Sequence, residues 1–288
     1  MPEFRGVSSC VGFFWAMAVF LAWSPLPLAA ADWDYPLAVG VAKDGTIYVA
    51  DRHLPGVWKV IGGKPEVYFK GEKKFRTPLN APRCVGFDKE GNLLVGDSAT
   101  RDVYRFDKAG KPQPLTNGEI GIPMGIAVNA AGELLVADLE RHCIWKVPAA
   151  GGKPVKFADV SAPHGVAIDA QGRLWVVSHG ADMLLRFSTE GKAEPIVKGR
   201  PFSFPHDVVL DKDGLAYVSD GYAKGVWKIP ASGVPTKWVE GKPLVSPVGI
   251  AWKSAEGPLL IVDPHARQLF EADAAGKVTA VTPVIAKP

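Results

Sequence analysis

The chain has 288 residues, 22% of them charged and 47% hydrophobic, and its 33 Lys+Arg against 30 Asp+Glu leave a net charge of +3. That balance excludes a disordered chain, which needs low hydrophobicity and high net charge. With 31 glycines and 25 prolines it excludes a protein of long helices, and without a basic stripe it does not read as a nucleic-acid binder.

Residues 1–31 read as a secretory signal peptide. Arg5 precedes the apolar run Val11–Trp23, Pro25 and Pro27 follow, and Ala29-Ala30-Ala31 gives a small-residue cleavage pattern. The run is shorter than the ~20 residues of a spanning helix. Extended to Ala31 it reaches 21 residues, which leaves an uncleaved anchor as the alternative. Export to the periplasm or medium is expected, with no transmembrane segment in residues 32–288. Cys84 and Cys143 fall in different repeat units, so two buried thiols are expected rather than a disulfide framework.

Residues 32–288 form one domain of six copies of a single unit. Aligned on Pro36, Pro82, Pro123, Pro163, Pro205 and Pro247, the copies are 46, 41, 40, 42 and 42 residues apart. After each proline comes a short apolar run, a turn with glycine, and a second run. The second run ends on Asp51, Asp97, Asp138, Ser178, Asp220 or Asp263. A third run starts six residues later and a fourth follows another turn. Four short β-rich runs of this kind leave no room for a helix. Repeated six times, they predict an all-β, six-bladed β-propeller of four-stranded antiparallel blades, since one such sheet cannot bury both faces alone. The aromatics at Trp58, Tyr104, Trp145, Trp227 and Phe270, with Leu185 in copy 4, are expected between blades. The recurring Asp residues are expected to cap loop amides.

The segment Pro123–Asp138, PMGIAVNAAGELLVAD, resembles an NHL repeat, and the resemblance spans essentially all of 32–288. It implies the propeller fold but not one function, because such propellers include binding modules, sensors and metal-dependent lyases.

Hairpin geometry places the residue after each proline and the loop after each Asp at one mouth of the ring. All six histidines, His53, His142, His164, His179, His206 and His265, fall there. A polar functional mouth is the inference. His164 and His206 both follow a proline in adjacent blades, and His179 stands where copy 4 breaks the repeat. These three are the candidate metal ligands, with zinc the expected divalent ion. Arg83 stands in an otherwise largely apolar inner ring and can clamp a carboxylate bidentately. Tyr222 can hydrogen-bond a ligand or move a proton. His53, His142, His265 and Asp207 complete the candidate ligand-binding set.

The runs Pro163-His164-Gly165 and Pro205-His206-Asp207, with Ser219–Tyr222 (SDGY), resemble the peptide α-amidating lyases. That resemblance implies zinc at His164 and His206 and a chemical role for Tyr222; Arg83 would act by analogy of type. The lyases use three Pro-His starts on alternating blades, and this chain has two on adjacent blades. A weaker resemblance is to SMP-30/gluconolactonase-like propellers, which bind one divalent ion through Glu, Asn and Asp where this chain has His and Arg. Three functions are therefore expected. The first is an exported propeller, monomeric, that binds a small anion, metal or peptide at its mouth. The others are a metal-dependent lyase or lactone hydrolase with Arg83 and Tyr222 catalytic, and a protein-interaction scaffold.

Overall fold

A computed structural model describes residues 1–3, 33–230 and 232–281. The predicted leader lies, beyond its first three residues, outside that range. Among the described residues no helix is long and apolar enough to cross a membrane.

Among the described residues twenty-four strands, β1 (Pro36–Val41) to β24 (Val278–Ala280), make six four-stranded antiparallel sheets, each of four consecutive strands. The repeat seen in the sequence is the blade, and the ring closes without exchanging a terminal strand. The first hairpin of each blade turns on glycine. Gly45, at φ +84, donates to Ala42 O, while Asp44 accepts from Thr46 N through Oδ1. A side chain at that left-handed position would strain the turn.

Blade cohesion is apolar. Six separate clusters of buried residues each join two neighbouring blades. Val57, Leu79, Leu93, Val95, Tyr104 and Phe106 join blades 1 and 2. Val39, Val49, Val60, Val248, Leu260 and Val262 join blades 1 and 6 and so close the ring. A fully buried side chain of this size contributes about 1.5–3 kcal/mol. Each interface therefore holds many times the stability of any one exposed ion pair. Cys84 and Cys143 are buried free thiols, as expected.

The recurring Asp residues do more than cap. Asp138 accepts Gly121 N and Ile122 N from the connection entering blade 3, and Glu140 N and Arg141 N from the loop leaving its second strand. It also accepts the indole Nε1 of Trp145 at 2.8 Å. Asp51 and Asp220 take Trp58 and Trp227 in the same way. The recurring Trp residues are thus only partly interblade packing; each is also the donor that locks its own Asp. Blade 4 has Ser178 and Leu185 in place of this pair. The Ser178 hydroxyl donates to Ser161 O and accepts from Gly180 N instead.

Candidate functional site

Five of the six inner strands carry a register shift just after their proline: at Pro36/Ala38, Pro82/Cys84, Pro123/Gly125, Pro163/Val166 and Pro205/Val208. A bulge of this kind re-aims the side chains beside it. Here it delivers the two residues after each proline to the propeller axis, in two tiers. The upper tier is Leu37, Arg83, Met124, His164, His206 and Val248. The lower tier is Ala38, Cys84, Gly125, Gly165, Asp207 and Gly249.

A cavity of about 410 Å³ opens along the axis, lined by residues of both tiers and, deeper, by Val39, Val85, Ile126, Val166, Val208 and Ile250. Its polar groups are few: Arg52, Arg83, His206, Asp207, Ser246, Tyr35, Tyr222 and His265. An apolar cleft with a few convergent polar groups is the usual form of a small-molecule site.

Arg83 donates through Nε to the hydroxyl of Ser98 at 3.1 Å. No carboxylate lies within ion-pair distance of it among the described residues, so its terminal NH2 groups are available to a ligand. Burial first, and then the neighbouring Arg52, hold its pKa below the ordinary arginine value. Arg52, which the hairpin topology places at the mouth but which is not in the candidate ligand-binding set, is exposed and also lacks an ion pair among the described residues. Two guanidinium groups on one wall, neither ion-paired among the described residues, are charge-complementary to an anion.

Asp207 occupies a position that is small in every other blade. Its Oδ1 accepts Val208 N at 2.9 Å and its Oδ2 accepts Ile250 N of blade 6 at 3.1 Å. Burial pushes its pKa up to about 6. The side chain touches cavity space but lies far from bulk water, so it is half-buried by access and deeply desolvated by position. Gly165 is required beside it, because a Cβ there would collide with the Asp207 backbone and carboxyl.

His164, His179 and His206 do come together, but as packed rings. His164 and His179 stack with centroids 4.1 Å apart and 9° between planes, and His206 meets His164 edge-on at 5.9 Å. The His164 Nδ1 lies 3.1 Å from Ala162 O and the His179 Nε2 lies 2.7 Å from Pro205 O. Phe204 packs against His179 and His206, and Tyr222 stacks on Phe204 at 4.8 Å. Burial lowers the His164 pKa to about 4 and the His206 pKa to about 3, with the neighbouring imidazoles adding to both. Both rings are neutral at pH 7.

The expected zinc triad is corrected on this geometry. Two of its rings lie face to face rather than converging on a common point. Among the described residues no group of three His, Cys, Asp or Glu is arranged to hold a metal ion. His142, at the mouth, lies outside the cavity lining. It is exposed, and its Nδ1 accepts Ala162 N across the seam between blades 3 and 4. His53 stacks on Tyr35 at 4.7 Å beside Asp34, outside the cavity lining. His265 is exposed at the cavity edge, and Tyr222 is 71% exposed at the rim. Phe204 and Ser246 belong to the site and were not read from the sequence. Phe204 precedes Pro205 and could have been found by extending the blade-start comparison one residue upstream.

Fold and site define a six-bladed propeller of NHL/SGL type with an axial cavity. The SMP-30/Gluconolactonase/LRE-like region matches residues 21–200, and the chain belongs to that family. Among curated relatives, human NHL-repeat-containing protein 4 is 38% identical over 66 residues, 23% of this chain and 54% of that protein. The human E3 ubiquitin-protein ligase TRIM32 is 31% identical over 129 residues, 38% of this chain and 19% of that protein. The chain thus spans about a fifth of the ligase and about half of the NHL protein. Among solved structures, a gluconolactonase from Xanthomonas campestris superposes with a TM-score of 0.71 at 16% identity, covering 87% of this chain and 88% of that one. Virginiamycin B lyase from Staphylococcus aureus gives 0.67 at 17% identity, covering 90% and 87%. At these identities the structures share the fold.

Among the described residues the cavity offers one carboxylate, Asp207, whose two oxygens both accept backbone amides, where gluconolactonase-like propellers use a Glu, Asn and Asp set for their divalent ion. The upper tier supplies two neutral imidazoles, a cationic guanidinium and the apolar Leu37, Met124 and Val248. This donor set does not fit such an ion.

Proposed function

We propose that this chain binds a small anionic ligand in the axial cavity, with Arg83 and Arg52 gripping the charge and Tyr222, Phe204 and His206 forming one wall. The observation that carries this reading is the guanidinium pair that, among the described residues, no carboxylate meets at ion-pair distance, in a partly apolar cavity. Each charge-assisted hydrogen bond of this kind contributes about 1.5–3 kcal/mol. The predicted leader supports a periplasmic or secreted site of action, and closure of the six blades within one chain supports a monomer. The test is binding of small carboxylates and phosphates to wild type and Arg83→Gln.

A second reading is supported by the family and by Asp207: the same cavity opens a lactone. Asp207 as carboxylate takes a proton from a water whose oxygen attacks the ring carbonyl. Arg83 stabilises the resulting oxyanion. The ring C–O bond then breaks, and the departing oxygen recovers the proton from Asp207, giving a hydroxy acid. Tyr222, stacked at the rim, orders the ligand rather than moving the proton. Hydrolysis of gluconolactone by wild type, lost in Asp207→Asn while Arg83-dependent anion binding persists, is the expected result. Equal hydrolysis by the variant overturns this second reading alone.

A further inference from the structure

The connection from blade 1 to blade 2, residues 71–81, lies in the one repeat interval that is 46 residues long instead of 40–42. It stands on the mouth face: Gly71 N donates to Pro55 O at 2.8 Å, and Asp97 accepts Asn80 N and Ala81 N. The connection is built to hold a shape. The Thr77 hydroxyl is shared between Glu72 O and Lys74 O, and Asn80 Nδ2 donates to Lys74 O at 2.8 Å. Leu79 roots it in the blade 1–2 core and is fully buried.

The tip runs against that burial. Phe75 is 86% exposed. The Arg76 guanidinium lies 5.1 Å from its ring centroid, and Lys73 has no partner among the described residues. Lys74 pairs with Glu72. The same face presents Tyr222 and Val245 as exposed apolar side chains on the far side of the axis, beside Lys224 and Lys242. Glu140 and Asp34, exposed on these loops, are paired with Arg101 and Arg267, and Glu119 has no ion pair among the described residues. A lone exposed apolar residue is ordinary. A pinned aromatic flanked by unpaired cations, on a face with further apolar tips and cations, matches the chemistry of a membrane interface. There aromatic rings settle at headgroup depth and cations meet anionic lipid.

We propose that the mouth face docks on an anionic phospholipid surface, with the 71–81 finger inserting Phe75 and Lys73 and Arg76 contacting the headgroups. This does not rest on the anion site in the cavity.

The test is hydrogen–deuterium exchange of the full chain with vesicles. One set is equal parts phosphatidylglycerol and phosphatidylcholine, the other phosphatidylcholine alone. Local exchange distinguishes the finger from capture through the apolar run at residues 11–23. The expected result is protection of 71–80 on the anionic vesicles only, reduced by Phe75→Ser and abolished by Lys73→Glu/Arg76→Glu. Removal of two basic contacts predicts binding weaker by about 30-fold. All three residues are exposed, so unchanged melting temperatures confirm that the variants fold. Equal protection on both vesicles, or protection that survives the charge reversal, overturns the proposal. No protection on either also overturns it.

Discussion

The imidazoles of His164 and His179 lie face to face, 4.1 Å between centroids and 9° between planes. Metal ligands converge with nitrogen lone pairs on a common point, and these rings present their faces to each other. Their packing against Phe204 makes them part of an aromatic wall. The chain equilibrated with zinc and desalted is therefore expected to retain no stoichiometric zinc at these residues. One zinc per chain by elemental analysis, lost in His164→Ala, would contradict the stacked arrangement.

Stability should fall as the solution is acidified below neutrality. His164 and His206 have folded pKa values of about 4 and about 3, below the ordinary 6.5. Between 6.5 and those values the unfolded chain binds protons that the folded chain refuses. Each histidine then costs about 1.4 kcal/mol per pH unit. Asp207 acts in the opposite sense, since its folded pKa of about 6 is raised from 3.8. It regains stability as pH falls through 6 and offsets about one of the two histidines. The net expectation is a melting temperature that drops between pH 6.5 and 4, with a shallower drop in His206→Asn. An unchanged slope in that variant would show that His206 is not held neutral by the fold.

Asp138 joins two loops and an indole, so its removal strands several buried donors. Asp138→Ala is expected to cost about 3–5 kcal/mol, within the range for a broken buried network. Trp145→Phe, which removes a single donor, should cost about 1 kcal/mol. Denaturant unfolding of both variants measures the difference. Equal losses would show that the indole, not the backbone amides, is what Asp138 serves.

The lactone-opening reading carries its own pH signature. Asp207 acts as base only when ionised, so hydrolysis of gluconolactone should rise with pH through about 6 and level off above it. A rate that climbs steadily with pH, with no inflection near 6, would remove Asp207 from that role.

The fold was legible because it is written six times. Proline, glycine turn and aspartate recur at nearly constant spacing, and each marks a backbone requirement of the blade. The seven-residue step from Asp51 to Trp58, Asp138 to Trp145 and Asp220 to Trp227 also stands in the sequence, while Asp97 and Asp263, followed at that step by Tyr104 and Phe270, accept loop amides without an indole. The site was legible only in part. Topology puts all six histidines at the mouth, but their ring planes depend on Phe204 and on carbonyls such as Pro205 O, which no spacing encodes. Arg52 falls at the mouth by the same topology but is not singled out as a ligand residue, because nothing in its loop distinguishes it from Arg101 or Arg141. Arg101 is neutralised by Glu140, whereas Arg52 stands beside Arg83. That difference arises from contacts between blades.

The most direct test of the central claim is thermal unfolding of the full chain against small carboxylates and phosphates, in wild type, Arg83→Gln and Arg52→Gln. At a hundred times its Kd, a ligand that binds the folded state alone stabilises by about 2.7 kcal/mol. At least one anion should raise the wild-type melting temperature, with Kd raised about 10- to 100-fold in Arg83→Gln and less in the exposed Arg52→Gln. No shift with any anion, or a shift that Arg83→Gln leaves intact, would contradict an anion site built on that guanidinium.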